Sequence, residues 1–414
     1  MASKKYYLFL GLLSLMTTTT FAQQSKSYVY DSSVITRKRA PQQNEFLNNT
    51  YNFPAKPRNM WEIGVKGGML NISGDVATKL PTFGFGVHVR KAFGYLFSLR
   101  LEYVNGVAKG QNWLASENYA KNPAWNRQYS GLWRSGAGPL GVIRYDGTPN
   151  GNTTGSLNRV FYNYKAKVQD LGLQGIFTFN NIRFHKKKTG VVIYGGGGIG
   201  MTWYNTKVNA YNEGNNTTYE RLFDAVSSPL GQATTHSNRK NVRKALKDGF
   251  AGIPGMDNTY ETPAETHGDR RPKLGNNTLK PSGTVLAGVA YRIGKRINLA
   301  IEDRHTFVKD DLLDGQRWQE QGLGDPVMTR DFDSWNYLSI GLNFNLGAKS
   351  VEPLWWINPL DYAYAELKKT PPTPKPVNCE DTDNDGVCDF LDREPNTPAG
   401  CPVDTHGVTR DTDG

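Results

Sequence analysis

From Trp61 onward the chain repeatedly alternates apolar and polar positions with a period of two, the signature of strands with one buried and one contrasting face. In the first such segment Trp61, Ile63, Val65 and Met69 share a face, and Glu62, Gly64, Lys66 and Gly68 share the other. Phe83–Arg90 and Phe97–Tyr103 repeat the pattern, as do the sets Leu171, Leu173, Phe177, Phe179 and Val285, Val289, Tyr291, Ile293. Ile297, Leu299 and Ile301 follow. Leu338, Ile340, Leu342, Phe344 and Leu346 then alternate with Tyr337, Ser339, Gly341, Asn343 and Asn345. A segment near Val191–Asn205 is blurred by Gly195–Gly198, where glycines mark a bend or a close backbone approach. The pattern predicts an all-β region of eight strands, each about ten residues or more, which is long enough to cross a bilayer when tilted.

A soluble β-sandwich alternates in the same way, so the choice between sandwich and membrane barrel rests on three further features. The polar face carries Glu62, Lys66, Arg90, Arg100, Glu102, Glu302 and Arg304, a set suited to a lumen of paired charges. Trp61, Tyr103, Trp203, Tyr291 and Trp335 fall near strand ends, as an interfacial girdle requires. The connections alternate short (Ala92–Tyr95, Asn180–Lys188, Gly294–Arg296) and long (Asn71–Pro81, Lys109–Asn158, Lys207–Pro281, Lys309–Asp333). An even-stranded barrel with both termini inside has short periplasmic turns and long extracellular loops. The expected fold is an eight-stranded antiparallel transmembrane β-barrel with long extracellular loops. The Lys109–Asn158 loop is rich in Trp, Gly and Asn and the Lys207–Pro281 loop is polar and charged, and loops of this length are uncommon unless they bind something or are disordered.

The first 22 residues read as an export signal: Lys4 and Lys5, an apolar run from Tyr6 to Met16, and small residues at Thr20 and Ala22 before Gln23. The apolar run is too short to span the hydrocarbon. The formal charge of +11 stays strongly positive after Lys4 and Lys5 leave with the signal. In an exported chain that favours anionic lipid and lipopolysaccharide over nucleic acid as partners. The expected domains are a signal peptide over 1–22, an N-terminal extension over 23–59, the barrel over 60–347, a helix and Pro-rich linker over 348–377, and an acidic stalk over 378–414. In the linker, Trp355-Trp356 is expected at the membrane interface. Asn358-Pro359-Leu360-Asp361 reads as a helix start, and Thr370–Pro376 reads as a stiff extended spacer.

The most specific chemistry lies in Asp381-Thr382-Asp383-Asn384-Asp385-Gly386-Val387-Cys388-Asp389-Phe390-Leu391-Asp392. Acidic residues stand at positions 1, 3, 5, 9 and 12 of the loop, with Gly386 at the sharp turn. Ca²⁺ takes six to eight hard oxygens, so Asp381, Asp383, Asp385, the Val387 carbonyl, Asp389 and Asp392 are the expected ligands. Asp392 replaces the longer Glu of an EF-hand, which favours a structural loop over a sensor. Cys379 and Cys388 bracket the loop and are disulfide candidates in an oxidising compartment, leaving Cys401 odd. Asp411-Thr412-Asp413-Gly414 looks like the opening of a second such loop, so the sequence is read as a fragment of a longer protein.

Together the Asp381–Asp392 loop and the continuation Glu394-Pro395-Asn396-Thr397-Pro398-Ala399-Gly400-Cys401-Pro402-Val403-Asp404 resemble the OmpA-family outer-membrane proteins of the Bacteroidetes type. The resemblance implies a barrel in the cell outer membrane, a periplasmic stalk of thrombospondin type 3-like calcium repeats, and a peptidoglycan-binding domain that lies outside these 414 residues. It implies a structural anchor. The alternative is an accessory subunit of a larger outer-membrane complex, docking through the long loops or the Asn48–Asn59 extension. A porin is disfavoured because eight strands enclose a lumen that side chains fill. No catalytic residue is expected either: a deacylase-like site needs His and Ser two apart on one strand face, yet His88 is followed at that spacing by Arg90 and His305 by Phe307.

Overall fold

A computed structural model of the chain describes residues 31–58, 61–79, 82–116, 122, 124, 160–182, 190–212, 214–215, 217–219, 222–223, 225–226, 236–253, 257–264, 271–294, 296–319, 327–328, 332–346, 353–357, 360 and 379–411. The signal peptide, the helix expected after Asn358 (save Leu360) and the Pro-rich spacer lie outside the described residues. The chain divides into two compact units, Met1–Asp361 and Tyr362–Gly414.

Eight long strands make up the first unit: β1 (Trp61–Ser73), β2 (Phe83–Ala92), β3 (Phe97–Gln111), β4 (Asn163–Thr178), β5 (Val191–Val208), β6 (Asn277–Arg292), β7 (Ile297–Val308) and β8 (Ser334–Leu346). Every strand pairs antiparallel with its sequence neighbours. The last pairs with the first in full register, from Trp61 opposite Leu346 to Ser73 opposite Ser334. The sheet therefore closes into an up-and-down barrel with no free edge, one of the two ways a chain can satisfy its backbone in hydrocarbon.

Alternation along each strand separates inside from outside. In β2 every second residue, from Gly84 to Ala92, is buried, while Phe83, Phe85, Val87 and Val89 are exposed. Around the circumference Val65 is 49% exposed, Leu101 49%, Ile193 49%, Val285 52% and Ile340 48%, so the outer surface is a continuous apolar band rather than isolated patches. A soluble sandwich would cover that band with a second sheet. Here it is left for lipid. The glycines of β5 serve close packing: a Cβ on Gly196 or Gly198 would collide with the carbonyl oxygens of Gly175 and Leu173 on β4.

Trp61, Tyr103 and Trp203 lie on the outer surface, the last two with ring centroids 6.0 Å apart. Trp335 does not belong to that girdle. It is fully buried, with its ring 5.0 Å from the Arg304 guanidinium, because its place in the alternation of β8 turns it inward where the strand leaves the bilayer zone.

The long-loop end is more ordered than loop composition suggests. The β5–β6 connection contains a helix, α1 (Arg239–Gly252), whose Val242, Leu246 and Phe250 are buried. They join Leu222, Phe223, Phe161 and Tyr162 in an apolar core continuous with Tyr164, Tyr204 and Tyr337 of the strands. The spacing of those three residues builds one apolar stripe on the helix. The polar, charged β5–β6 loop thus carries a folded cap. At the opposite end the extension packs Val34, Ile35 and Ala55 together, and Lys56 Nζ lies 5.8 Å from the Tyr95 ring in the β2–β3 turn.

Candidate functional site: a charged lumen, a tryptophan cap and an acidic loop

Strand alternation sends the polar residues of all eight strands into the lumen, where water is scarce and charges must pair or incur a desolvation cost. At the middle level Glu302 of β7 accepts from Arg100 Nη1 at 2.5 Å and Nη2 at 2.8 Å, from Lys66 Nζ at 2.7 Å and from Tyr194 Oη at 3.0 Å. Glu102 pairs with Lys66, with Arg100 at 3.2 Å and with Arg304 at 3.2 Å, and accepts from Gln174 Nε2 at 2.8 Å. Gln174 also accepts from Arg100 Nε at 2.6 Å. Arg304 reaches further to Asp170, whose second oxygen accepts from Thr202 at 2.7 Å and Ser282 at 2.9 Å. Strands β1, β3, β4, β5, β6 and β7 are thereby tied across the barrel axis.

Nearer the short-turn end Glu62 faces His88 Nε2 at 3.6 Å and Arg90 Nη1 at 3.9 Å, and accepts from Asn298 Nδ2 at 3.0 Å. The structure thus brings Lys66, Arg100, Glu102, Glu302 and Arg304 into one network and places Glu62 and Arg90 in a second layer. Asp170 belongs to the first network and is not among the charges read from the sequence. It precedes Leu171 on the opposite face, so the same alternation identifies it once β4 is extended backwards.

Below this second layer the lumen is closed by the segment following β8. Leu354, Trp355, Trp356 and Ile357 are buried against Ala92, Ile176, Val192, Tyr194, Leu286, Ala290 and Ala300. Arg90 lies 3.9 Å from the Trp355 ring centroid and 5.4 Å from that of Tyr194. This corrects the expectation of an interfacial tryptophan pair. The inner faces of the strands become apolar at this end, and a hydrophobic cup offers the rings more burial than the headgroup zone does.

In the second unit Cys379 and Cys388 are disulfide-bonded with Cα atoms 5.1 Å apart, and Cys401 is exposed and unpaired. Asp381, Asp383 and Asp385 converge so that one oxygen from each lies within 4.8 Å of the others. Local hydrogen bonds set this up: Asp381 accepts from the N–H groups of Asp385 at 3.3 Å and Gly386 at 3.0 Å. Asn384 and Gly386 have φ of 58° and 94°, which provides the reversal. The Thr397 N–H donates to Asp383 Oδ2 at 2.6 Å and holds that carboxyl below the usual range. Asp383 Oδ1, shielded from solvent, has no hydrogen-bond partner among the described residues. Asp389 turns its two oxygens to the N–H and hydroxyl of Thr382, at 2.8 and 2.6 Å, while Asp392 Oδ1 accepts from Glu394 N at 2.8 Å. Three acidic residues of the expected set are therefore assembled around one point and two stand apart from it. The Val387 N–H donates to Asp385 Oδ1 at 2.8 Å.

No family model matches the chain. Over 41 residues it is 54% identical to outer membrane porin F of Pseudomonas aeruginosa, a stretch that is 9% of this chain and 12% of the relative's length. Among solved structures, Neisserial surface protein A is similar at 10% identity and a TM-score of 0.27, covering 69% of this chain and 97% of that one. The N-terminal β-barrel domain of Pseudomonas aeruginosa OprF is similar at 8% identity and a TM-score of 0.26, covering 70% of this chain and 98% of that one. The chain's own topology and surface carry the assignment: it is a closed eight-stranded β-barrel of the outer-membrane type.

Proposed function

We propose that the protein is an outer-membrane anchor, in which a sealed barrel holds the chain in the bilayer and a calcium-stiffened periplasmic stalk leads toward the cell wall. The observation that carries this reading is closure of the lumen at two levels. The Lys66–Arg100–Glu102–Glu302–Arg304 network and the Trp355–Trp356 cap leave the barrel a membrane-holding role rather than a conducting one. Wall attachment is what the OmpA-type resemblance implies, through the kind of peptidoglycan-binding domain that family carries.

In the stalk, Asp381, Asp383 and Asp385 supply hard carboxylate oxygens at the spacing Ca²⁺ favours, and the unsatisfied Asp383 Oδ1 suits a cation. Bound calcium would cross-link the loop electrostatically and stiffen it. The Val387 carbonyl is the proposed further ligand, and Asp389 and Asp392 would join the set only by leaving their bonds to Thr382 and Glu394.

At the long-loop end of the barrel, Lys240, Arg243, Lys244 and Lys247 lie on α1 away from its buried stripe, and have no carboxylate partner among the described residues. That surface suits the anionic groups of lipopolysaccharide, and it is also the feature that favours the second reading, an accessory subunit that docks through its loops.

The test is the whole chain reconstituted in liposomes, with ion flux and protease cleavage of the stalk followed together. The anchor reading expects no steady flux, and stalk cleavage that slows as calcium is added. Asp383→Asn with Asp385→Asn should abolish the calcium effect. Sustained flux through the wild-type barrel would contradict the sealed lumen. Stalk cleavage indifferent to calcium would contradict the metal loop.

A further inference from the structure

Asp310, Asp311, Asp314 and Asp333 are buried at the long-loop mouth of the barrel, with exposures of 5%, 8%, 1% and 3%. Asp310 is balanced: Lys280 Nζ is 3.1 Å away, Arg317 Nη2 3.9 Å, and the Tyr204 hydroxyl donates to it at 2.6 Å. Among the described residues no cation pairs with Asp314 or Asp333. Two ionised carboxylates facing each other in such a place repel strongly, and sharing a proton removes the repulsion.

Hydrogen bonding says where that proton resides. Asp314 accepts on both oxygens, from Val76 N to Oδ2 at 2.9 Å and from Gln316 N to Oδ1 at 2.9 Å, which is the pattern of an ionised carboxylate. Asp333 accepts only on Oδ2, from Leu313 N at 2.7 Å and Asp314 N at 3.4 Å. Its Oδ1 receives no N–H among the described residues. A Cβ placed on Gly74 would fall against both Asp333 Oδ1 and Asp314 Oδ2, so the two oxygens converge on one spot that a residue without a side chain leaves open. Their segments come from different parts of the chain: Val76 from the β1–β2 loop, Leu313 and Asp314 from the β7–β8 loop, and Asp333 from the base of β8, where its N–H donates to Asp310 O at 2.9 Å.

We propose that Asp314 and Asp333 share one proton, carried on Asp333 Oδ1 and donated toward Asp314 Oδ2, and that this proton latches the start of the β7–β8 loop to its end at the barrel mouth, where Asp314 also holds Val76 of the β1–β2 loop. Burial, then the neighbouring Asp314 and Asp311, push the Asp333 carboxyl up to about 10, and burial pushes Asp314 up to about 7, with Asp75 adding to it. Tyr164 from β4 and Tyr204 from β5 also face the pair, and Arg271 acts on Tyr204. Both folded values lie above the ordinary carboxylate range. The latched mouth therefore holds a proton that the open one releases, is fully stabilised below about pH 4, where the free carboxyl is protonated too, and loosens progressively as pH rises toward about 10.

The experiment is limited proteolysis of the long loops in the whole refolded chain from pH 6 to pH 10, comparing wild type, Asp333→Asn and Asp314→Asn at each pH. Comparison at matched pH cancels the protease's own profile, and heat-modifiable migration confirms that each barrel has folded. In Asp333→Asn the new amide offers an oxygen to Leu313 N and an N–H to Asp314, a permanent copy of the protonated acid. Wild-type cleavage relative to Asp333→Asn should climb with pH, by at most about tenfold per unit for a single proton. Asp314→Asn, which turns an N–H toward a donor, should be cleaved faster at every pH. Should Asp314→Asn fail to fold, the wild-type and Asp333→Asn profiles still decide. Parallel profiles for those two would overturn the latch. So would a chelator that opens the wild-type mouth at pH 7, since a cation rather than a proton would then hold the pair.

Discussion

Glu302→Ala is expected to destabilise the folded barrel by about 3–5 kcal/mol, the usual cost of removing one partner from a buried ion network. Glu302 accepts two bonds from Arg100, at 2.5 and 2.8 Å, one from Lys66 at 2.7 Å and one from Tyr194 at 3.0 Å. Its loss leaves Lys66 and Arg100 to share Glu102 in a site with almost no solvent, and the stranded charge, rather than the missing attraction, sets the penalty. The sign reverses in a matched replacement. Removing Arg100 together with Glu302 in favour of well-packed apolar residues should recover much of the loss, because both desolvation costs vanish together. Urea unfolding in detergent micelles, read as the midpoint shift of the heat-modifiable band, measures both variants. A single variant as stable as wild type would mean that water reaches this layer and the lumen is not sealed there.

Trp355→Ala carries the second large effect, about 3–5 kcal/mol for emptying a buried tryptophan site. Trp355 is 2% exposed and stacks on Arg90 at 3.9 Å, so the substitution opens a cavity and removes a cation–π contact in one step. Trp356 supplies an internal control. Its ring is equally buried, but its indole N–H has no partner among the described residues, so Trp356→Phe loses no hydrogen bond and should cost far less. The same unfolding assay applies, with tryptophan emission as a second readout. Equal, small effects at both positions would place this segment outside the barrel, at the interface that the sequence suggests.

Strand identity, closure and the inward charges are legible in the sequence because lipid outside and a narrow lumen inside impose one rule on every strand. A two-residue period survives even where the turns are unreadable. Asp170 escapes that reading only because β4 begins at Asn163, well before the apolar run that advertises it. Trp335 and the Trp355–Trp356 pair are misplaced by it for a different reason. A tryptophan near a strand end suits a headgroup girdle and a buried mouth equally well, and the choice depends on whether an apolar cup exists nearby, which is a property of eight strands together. Helix α1 is legible in principle, since Val242, Leu246 and Phe250 repeat every four residues, but five cations between Arg239 and Lys247 mask that stripe in a reading based on polarity. The latch pair is not legible, because Asp314 and Asp333 are nineteen residues apart and are brought together only when the β7–β8 loop folds back so that Asp333 accepts from the Leu313 and Asp314 N–H groups.

Each of these expectations presupposes that the outer faces of the strands meet hydrocarbon. Single spin labels along β8, in a cysteine-free background and reconstituted in lipid, test that directly. At Leu338, Ile340, Leu342 and Phe344 the label should be accessible to oxygen dissolved in the bilayer and protected from a water-soluble relaxant, whereas Ser339 and Asn343 should be shielded from the lipid phase. An oscillation of period two in opposite phase for the two reagents is the predicted result. Outward positions relaxed by the aqueous reagent as strongly as exposed loop residues would contradict the membrane barrel.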